Sequence, residues 1–179
     1  MNATKQFGFP TLGQTHLISA VVNGHADIVQ ALLAAGAEVD KALENGLTPL
    51  IVAAQKGHAD MVRLLLAAGA DKERMDNAGG TPLIVAVSSP WWTEGHGHGL
   101  LEVARLLLEA GAEVDTADNA GRTPLIAAAV NGHADMVRLL LERGADKDRV
   151  DNAGGTPLFL AVSSPWWTEG HGHVVQALL

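Results

Sequence analysis

The chain has 179 residues, of which 47% are hydrophobic but only 4% aromatic, and its formal net charge is −8 at pH 7. This length favours a single domain or one continuous array of repeats, and the shortage of aromatic residues requires a core of small aliphatic side chains. The twelve basic residues are scattered among twenty acidic ones, which argues against nucleic-acid binding. Because cysteine is absent and no apolar run approaches the ~20 residues that span a bilayer, we expect a soluble intracellular protein without disulfides.

A threonine recurs along the chain at regular intervals. The five positions are Thr15, Thr48, Thr81, Thr123 and Thr156. They are separated by 33, 33, 42 and 33 residues, and the last four are followed by Pro-Leu. A fixed period of this length is typical of arrays in which each unit buries its apolar face against its neighbours.

The second unit indicates what each repeat contains. Thr48 is a favoured N-cap, and Pro49 suits the first helical position, where no N–H is needed. This opening predicts a helix over 49–55, and the apolar residues that follow predict a second helix over 59–68. Asp-Asn-Ala-Gly-Gly at 76–80 then predicts a turn before the next Thr-Pro. Isolated helices of this length are marginal in water, so the units must stack into a solenoid.

Three motifs recur in a fixed order, and the fourth unit has all of them. They are Asp-Asn-Ala-Gly-Arg-Thr-Pro-Leu at 118–125, Ala-Ala-Val-Asn-Gly-His at 128–133 and Leu-Leu-Leu-Glu-Arg-Gly-Ala-Asp at 139–146. This pattern resembles the ankyrin repeat over about residues 10–179. The resemblance implies an all-α solenoid of helix-turn-helix units with short β-hairpin turns, in which two units carry an expanded loop between their helices.

On this basis the chain divides into an N-terminal segment and five units. The third and fifth units carry the loop insert, and the fifth has an incomplete C-terminal helix. The predicted boundaries are 1–9 for the segment and 10–42, 43–75, 76–117, 118–150 and 151–179 for the units.

One position departs from the ankyrin pattern. The family usually has histidine directly after Thr-Pro-Leu, whereas this chain has apolar residues there. The change removes a side-chain hydrogen bond between units, and we expect apolar packing in its place. The four residues are Ile51, Ile84, Ile126 and Phe159.

A longer duplication overlies the short repeat. Residues 48–98 and 123–173 align without a gap at an offset of 75 and differ at nine positions, which indicates a copied two-unit block. After the second copy comes Val-Val-Gln, without the Gly-Ala-Asp that ends the other units. We interpret the chain as part of a longer array, with self-association through this uncapped end as the alternative.

The inserted stretch Ser-Ser-Pro-Trp-Trp-Thr-Glu-Gly-His-Gly-His stands at 88–98 and again at 163–173. Ser89 precedes a proline, so the first helix of the third unit should stop near Ser88. The indoles either pack over the helix ends, anchor a partner, or meet loop to loop across the intervening unit. These residues, the only tryptophans of the chain, are Trp91, Trp92, Trp166 and Trp167.

Each insert ends in Glu-Gly-His-Gly-His, which suggests a metal-binding module as an alternative function. In an extended chain alternate side chains face one side, so one glutamate and two histidines of each insert could converge on a divalent ion. The competing interpretation is a flexible polar turn with neutral histidines. The candidate ligands are Glu94, His96 and His98 in the first copy and Glu169, His171 and His173 in the second. The histidines of the Gly-His steps, which we interpret as structural, are His25, His58 and His133.

We predict a partner-binding surface rather than a catalytic one. The sequence suggests no catalytic triad and no phosphate-binding loop, so neither enzyme activity nor a cofactor is expected. Ankyrin repeats bind partners with the tips of their turns and the ends of their first helices, and the inserts leave the scaffold at one of these positions. The resemblance places the surface at Gln55, Lys56, Asn77, Asn119, Arg122 and Asn152, joined by the four tryptophans. It implies another protein or a peptide as the partner.

Overall fold

The structure is a computed structural model that describes residues 16–89, 97–164 and 168–179. Within these ranges the chain forms ten α-helices in five consecutive pairs and no β-strand, which confirms the predicted all-α repeat fold. The helices are α1 (His16–Val22), α2 (Ala26–Ala34), α3 (Pro49–Lys56), α4 (Ala59–Ala67), α5 (Pro82–Val87), α6 (Gly97–Glu109), α7 (Pro124–Val130), α8 (Ala134–Glu142), α9 (Pro157–Ser163) and α10 (Glu169–Leu178).

The helices form two layers. The first helices of successive pairs pack side by side, and so do the second helices, from α2 through α10. The core lies between the layers and consists of aliphatic side chains and two methionines, as the low aromatic content requires. None of the helices in the described ranges is long and apolar enough to cross a membrane.

The Thr-Pro openings act as predicted. The hydroxyl oxygen of Thr48 accepts a hydrogen bond from the N–H of Ile51 at 3.2 Å, and the proline occupies the first turn, where its missing N–H costs nothing. The same cap begins α5, α7 and α9, through Thr81, Thr123 and Thr156. Four helices therefore begin at positions that the repeat pattern specifies.

The helix ends differ slightly from the sequence prediction. Helix α3 continues through Lys56, one residue beyond the predicted end, and Gly57 then adopts a left-handed conformation with φ of 71°. Helix α4 ends at Ala67 rather than at residue 68. Helix α5 ends at Val87 with Ser88 as its C-cap, which confirms the predicted stop before the Ser-Pro bond.

Each turn between pairs is a hairpin closed by side-chain and backbone bonds rather than by strands. In the third unit the N–H of Asp76 donates to the carbonyl of Gly80 at 3.1 Å. The Asp76 carboxylate in turn accepts the N–H groups of Ala78 and Gly80 at 2.9 and 2.8 Å. This arrangement is an Asx-type turn, for which aspartate is favoured.

The apolar residues after Thr-Pro-Leu do not all behave alike. Ile51, Ile84 and Ile126 are at most 3% exposed, so apolar packing does replace the family's histidine there. Phe159 is instead 62% exposed. The expectation of apolar packing is therefore wrong for the fifth unit, because no described residue covers that face of α9.

Candidate binding groove

A groove of about 200 Å³ lies where the turns of the third and fourth units meet the end of α5. We call it the turn groove. Its apolar wall is formed by Leu47, Ala78, Ile84 and Val85. Its polar residues are Gln55, Asp76, Ser88, Ser89, Asp118 and Arg122. The groove thus combines side chains from three successive units.

Two of the predicted partner-binding residues line the turn groove. Gln55 reaches it from the end of α3, and Arg122 reaches it from the turn before α7. Lys56 follows Gln55 as the last residue of α3 and is partly buried. These residues lie far apart in sequence, and stacking of the units brings Gln55 and Arg122 to one surface.

Arg122 is held in place by its own turn. Its Nε and Nη2 atoms donate to Oδ2 of Asp118 at 2.9 and 2.7 Å. The Asp118 side chain is only 6% exposed, whereas that of Arg122 is 51% exposed. The guanidinium is therefore ordered before any partner arrives, which reduces the entropy that binding would cost.

The three predicted asparagines join neighbouring turns. Each side-chain amide donates to a backbone carbonyl of the preceding turn: Asn77 to Glu44 at 3.0 Å, Asn119 to Asn77 at 3.1 Å, and Asn152 to Asn119 at 3.1 Å. All three remain exposed at the tips. We call this series the asparagine ladder. It ties the turns together beside the turn groove.

The first insert is anchored at the edge of the turn groove. Ser89 is 4% exposed, and its hydroxyl donates to the backbone carbonyl of Gln55 at 2.8 Å. This bond satisfies one of the free carbonyls at the C-terminus of α3. The tryptophans of both inserts, Trp91, Trp92, Trp166 and Trp167, lie outside the described residues.

The second insert enters a helix. Helix α10 begins at Glu169, so the Glu-Gly-His-Gly-His of this copy is helical rather than extended or a flexible turn. His171 is 2% exposed; its Nδ1 accepts the N–H of Thr168 at 3.1 Å, and its Nε2 donates to the carbonyl of Val130 at 2.9 Å. The ring is therefore a buried structural side chain with hydrogen bonds at both nitrogens.

This geometry contradicts the metal hypothesis for the second copy. His171 points into the core, whereas Glu169 and His173 are exposed, because positions two apart on a helix face different sides. Within the described ranges no group of three histidine, aspartate or glutamate residues is placed to hold a metal ion. In the first copy His98 is exposed on α6, and Glu94 and His96 lie outside the described residues.

A family model described as ankyrin repeats (3 copies) matches residues 17–118 and 93–179. The chain belongs to the ankyrin-repeat family. No curated protein matches it individually. Ankyrin repeats are generally protein–protein interaction modules and are typically non-enzymatic scaffolds. The turn groove, formed by turns and first helices of adjoining ankyrin units, lies where the resemblance places a binding surface.

The histidines of the ankyrin Gly-His steps link neighbouring units. Nδ1 of His58 bonds the carbonyl of Val21 in the preceding unit at 3.1 Å. Burial lowers the pKa of His133 from 6.5 to about 4; its hydrogen bond to Val87 acts against this shift, and the nearby His171 adds to it. His25 is exposed, because its unit is the first in the described part of the chain.

The acidic character of the ankyrin turns did not emerge from the sequence argument. Residues 36–48, 69–81, 111–123 and 144–156, which run from the glycine after each second helix to the next capping threonine, contain twelve acidic and six basic residues. They therefore carry a net −6 of the chain's −8. The repeated turn aspartates were a visible signal, but only the structure places Asp76 and Asp118 in one groove.

Proposed function

We propose that this protein is a non-enzymatic recognition module that binds a protein or peptide in the turn groove, with the first tryptophan insert beside the contact surface. The observation that carries the proposal is the groove itself, where Gln55, Arg122 and the wall residue Val85 meet. Its apolar wall offers surface to bury, and its ordered polar groups offer directional bonds. The family's general role in protein binding supports the same conclusion.

The test is a selection of random dodecapeptides for binding to the full chain, followed by measurement of affinity for two variants. Val85→Lys inserts a long cationic side chain into the wall of the groove and should weaken binding of the selected peptides at least tenfold. Gln30→Lys makes a comparable charge change on an exposed part of α2 and should leave affinity within twofold. Equal binding to Val85→Lys and the wild type would exclude the groove as the binding site.

The inserts have a second, independent test. Ser88 and Ser89 line the groove, and Trp91 follows two residues later in the chain. We expect Trp91→Ser/Trp92→Ser to weaken peptide binding more than Trp166→Ser/Trp167→Ser does, because the second insert begins at the exposed Ser163, two units away. Substitution is preferable to deletion, since residues 97–98 and 169–173 form the first turns of helices. Equal effects of the two pairs would remove the first insert from the binding surface.

A second candidate function is self-association through the outer face of α9. Phe159 and Val162 of this helix are 62% and 56% exposed. Burial of such apolar side chains between two copies would stabilise an assembly by roughly 25 cal/mol per Å². Sedimentation over a wide concentration range should reveal assembly, and Phe159→Glu should abolish it. A monomer at every concentration would exclude this function.

A further inference from the structure

The turn groove contains two aspartates in the same kind of turn. Oδ1 of Asp76 accepts two backbone N–H groups, at 2.9 and 2.8 Å, and Oδ1 of Asp118 accepts two N–H groups, both at 2.9 Å. The turns therefore orient the two carboxylates alike. They differ in the hydrogen-bond donors that bind the second carboxylate oxygen, Oδ2.

At Asp118 the second oxygen is occupied from within the chain. Oδ2 accepts both Nε and Nη2 of Arg122, the residue directly before the capping threonine. In the third unit that position is Gly80. Among the residues that the structure describes, none donates a hydrogen bond to Oδ2 of Asp76. Both carboxylates line the groove, but only that of Asp118 is paired with a guanidinium within the described residues.

The neighbouring side chains preserve this difference. A Cβ at Gly80 would lie 3.0 Å from Cγ2 of Val85 and 3.2 Å from both carboxylate oxygens of Asp76, which is closer than side chains normally pack. The residue of the fourth unit that corresponds to Val85 is Ala127. The smaller alanine leaves room for Arg122, whereas glycine and valine together keep Asp76 accessible from the groove.

We propose that the turn groove recognises a peptide segment bearing an arginine, whose guanidinium binds Oδ2 of Asp76 as that of Arg122 binds Oδ2 of Asp118. The net charge of −6 on the turn segments complements such a basic partner, and Ile84 and Val85 provide apolar contact beside the charge. This inference rests on the proposed function and adds the partner's chemistry to it. Arginine is preferred over lysine because its planar fork can place two N–H groups on one oxygen.

The test uses the full chain and four fluorescent dodecapeptide pools. One central position is fixed as arginine, lysine, leucine or glutamate, and the other positions are random mixtures of residues. Fluorescence anisotropy gives the apparent affinity of each pool. We expect the arginine pool to bind at least threefold more tightly than the lysine pool and at least tenfold more tightly than the glutamate pool.

Asp76→Asn keeps Oδ1 as the turn acceptor but removes the charge, so it should abolish the preference for arginine without unfolding the turn. Asp151→Asn is the matched control. Asp151 forms the same turn, with N–H groups of Ala153 and Gly155 at 3.0 and 2.8 Å from Oδ1, but it does not line the groove. The arginine preference should survive in this variant.

A second pair of variants changes the internal partners of the two carboxylates. Gly80→Arg/Val85→Ala copies the fourth unit and should supply Asp76 with an internal guanidinium, which removes the arginine preference. Arg122→Gly should free Asp118 and strengthen binding of the arginine pool at least twofold. An unchanged preference in both Asp76→Asn and Gly80→Arg/Val85→Ala would overturn the inference.

The outcomes also separate this inference from the proposed function. If every pool binds equally, and Val85→Lys weakens all of them, the groove binds peptides and arginine recognition is wrong. If no pool binds the wild type at all, both the proposed function and the inference are wrong. Circular dichroism of each variant verifies that the helices remain.

Discussion

The two copies of the inserted stretch have the same eleven residues but join the array differently. Helix α6 includes the last two residues of the first copy, Gly97 and His98, and Gly99, directly after the copy, packs against Gly57 of the preceding unit. In the second copy α10 begins at Glu169, and Gly170, inside the insert, packs against Gly132. The second helix of the fifth unit therefore starts within the insert and is ten residues long, no shorter than α4 or α8.

The residues that follow each copy explain the difference. Gly-Leu-Leu-Glu stands at 99–102 after the first copy and is missing after the second. Leu100 and His171 are consequently equivalent, each fully or almost fully buried at the start of the second helix. The contact of a glycine with the preceding Gly-His step sets the register of the helix, and the insert adapts to it. The glycine that makes this contact therefore follows the first copy but lies inside the second.

The largest expected effect comes from filling the glycine contact. A Cβ at Gly170 would overlap the carbonyl oxygen of Gly132, so Gly170→Ala must displace α10. We expect a loss of about 3 kcal/mol in the free energy of unfolding, at the upper end of overpacking costs. Gly99→Ala, whose Cβ would lie 2.7 Å from the carbonyl oxygen of Gly57, should have a similar effect on α6. Urea denaturation measures both, and a stable Gly170→Ala would refute the register described above.

The next effect is a dependence of the folding stability on pH that arises from His133, close to His171 of the second copy. His133 has a folded pKa of about 4 against 6.5 in the unfolded chain, so between these values the unfolded state binds more protons. Stability should therefore fall as pH decreases through this window, by about 2 kcal/mol between pH 7 and pH 4.5. Denaturation curves of the wild type and His133→Gln measure this contribution, because the variant should lack it. An equal loss in both would assign the acid sensitivity to other groups.

A smaller effect tests whether α10 accepts at position 171 the leucine that α6 has at the equivalent position. His171→Leu places leucine where Leu100 stands in the third unit, and it removes the donor to the carbonyl of Val130. We expect a loss of about 1 kcal/mol, the usual net value of one hydrogen bond. The substitution also removes the neighbour that helps to lower the pKa of His133. Histidine resonances followed by NMR should show that pKa rising, and a fall would contradict the proposed contact.

The smallest expected effect has the opposite sign. Gly172 lies inside α10, and an added Cβ there would meet no atom within 4 Å. Gly172→Ala should stabilise the helix by about 0.5–1 kcal/mol, since glycine is a poor helix former. It is also the control for Gly170→Ala, because the two positions differ in contact and not in residue type. Destabilisation by Gly172→Ala would show that this segment is not helical.

The sequence was sufficient for the scaffold because repeated local signals determine it. Threonine caps, first-turn prolines and the glycine after each helix act within a few residues of their own position, so their consequences could be predicted at Thr48 or Gly57 without knowledge of the rest. Gln55 and Arg122 were found in the same way, through the repeat frame. The unit boundaries and the binding role of the predicted residues remain predictions.

The remaining features depend on contacts between units. The helical Glu-Gly-His-Gly-His at 169–173 depends on the contact of Gly170 with Gly132 in the preceding unit, and local propensity does not contain that information. The pairing of Arg122 with Asp118 follows from the geometry of the turn that contains both residues. Asp76 was overlooked because, in the sequence, it is one turn aspartate among several.

The turn-to-turn hydrogen bonds have a common direction with a consequence for how the chain folds during synthesis. In the asparagine ladder the donor always belongs to the later unit and the acceptor to the earlier one, as with Asn119 and the carbonyl of Asn77. The backbone N–H groups of Asp71 and Asp146 likewise donate to the carboxylates of Asp40 and Asp115. A ribosome releases the earlier unit first, so each emerging turn finds its acceptors already in place. Before the next unit emerges, the groups of the earlier turn that will bind it are carbonyls and carboxylates, which water solvates readily.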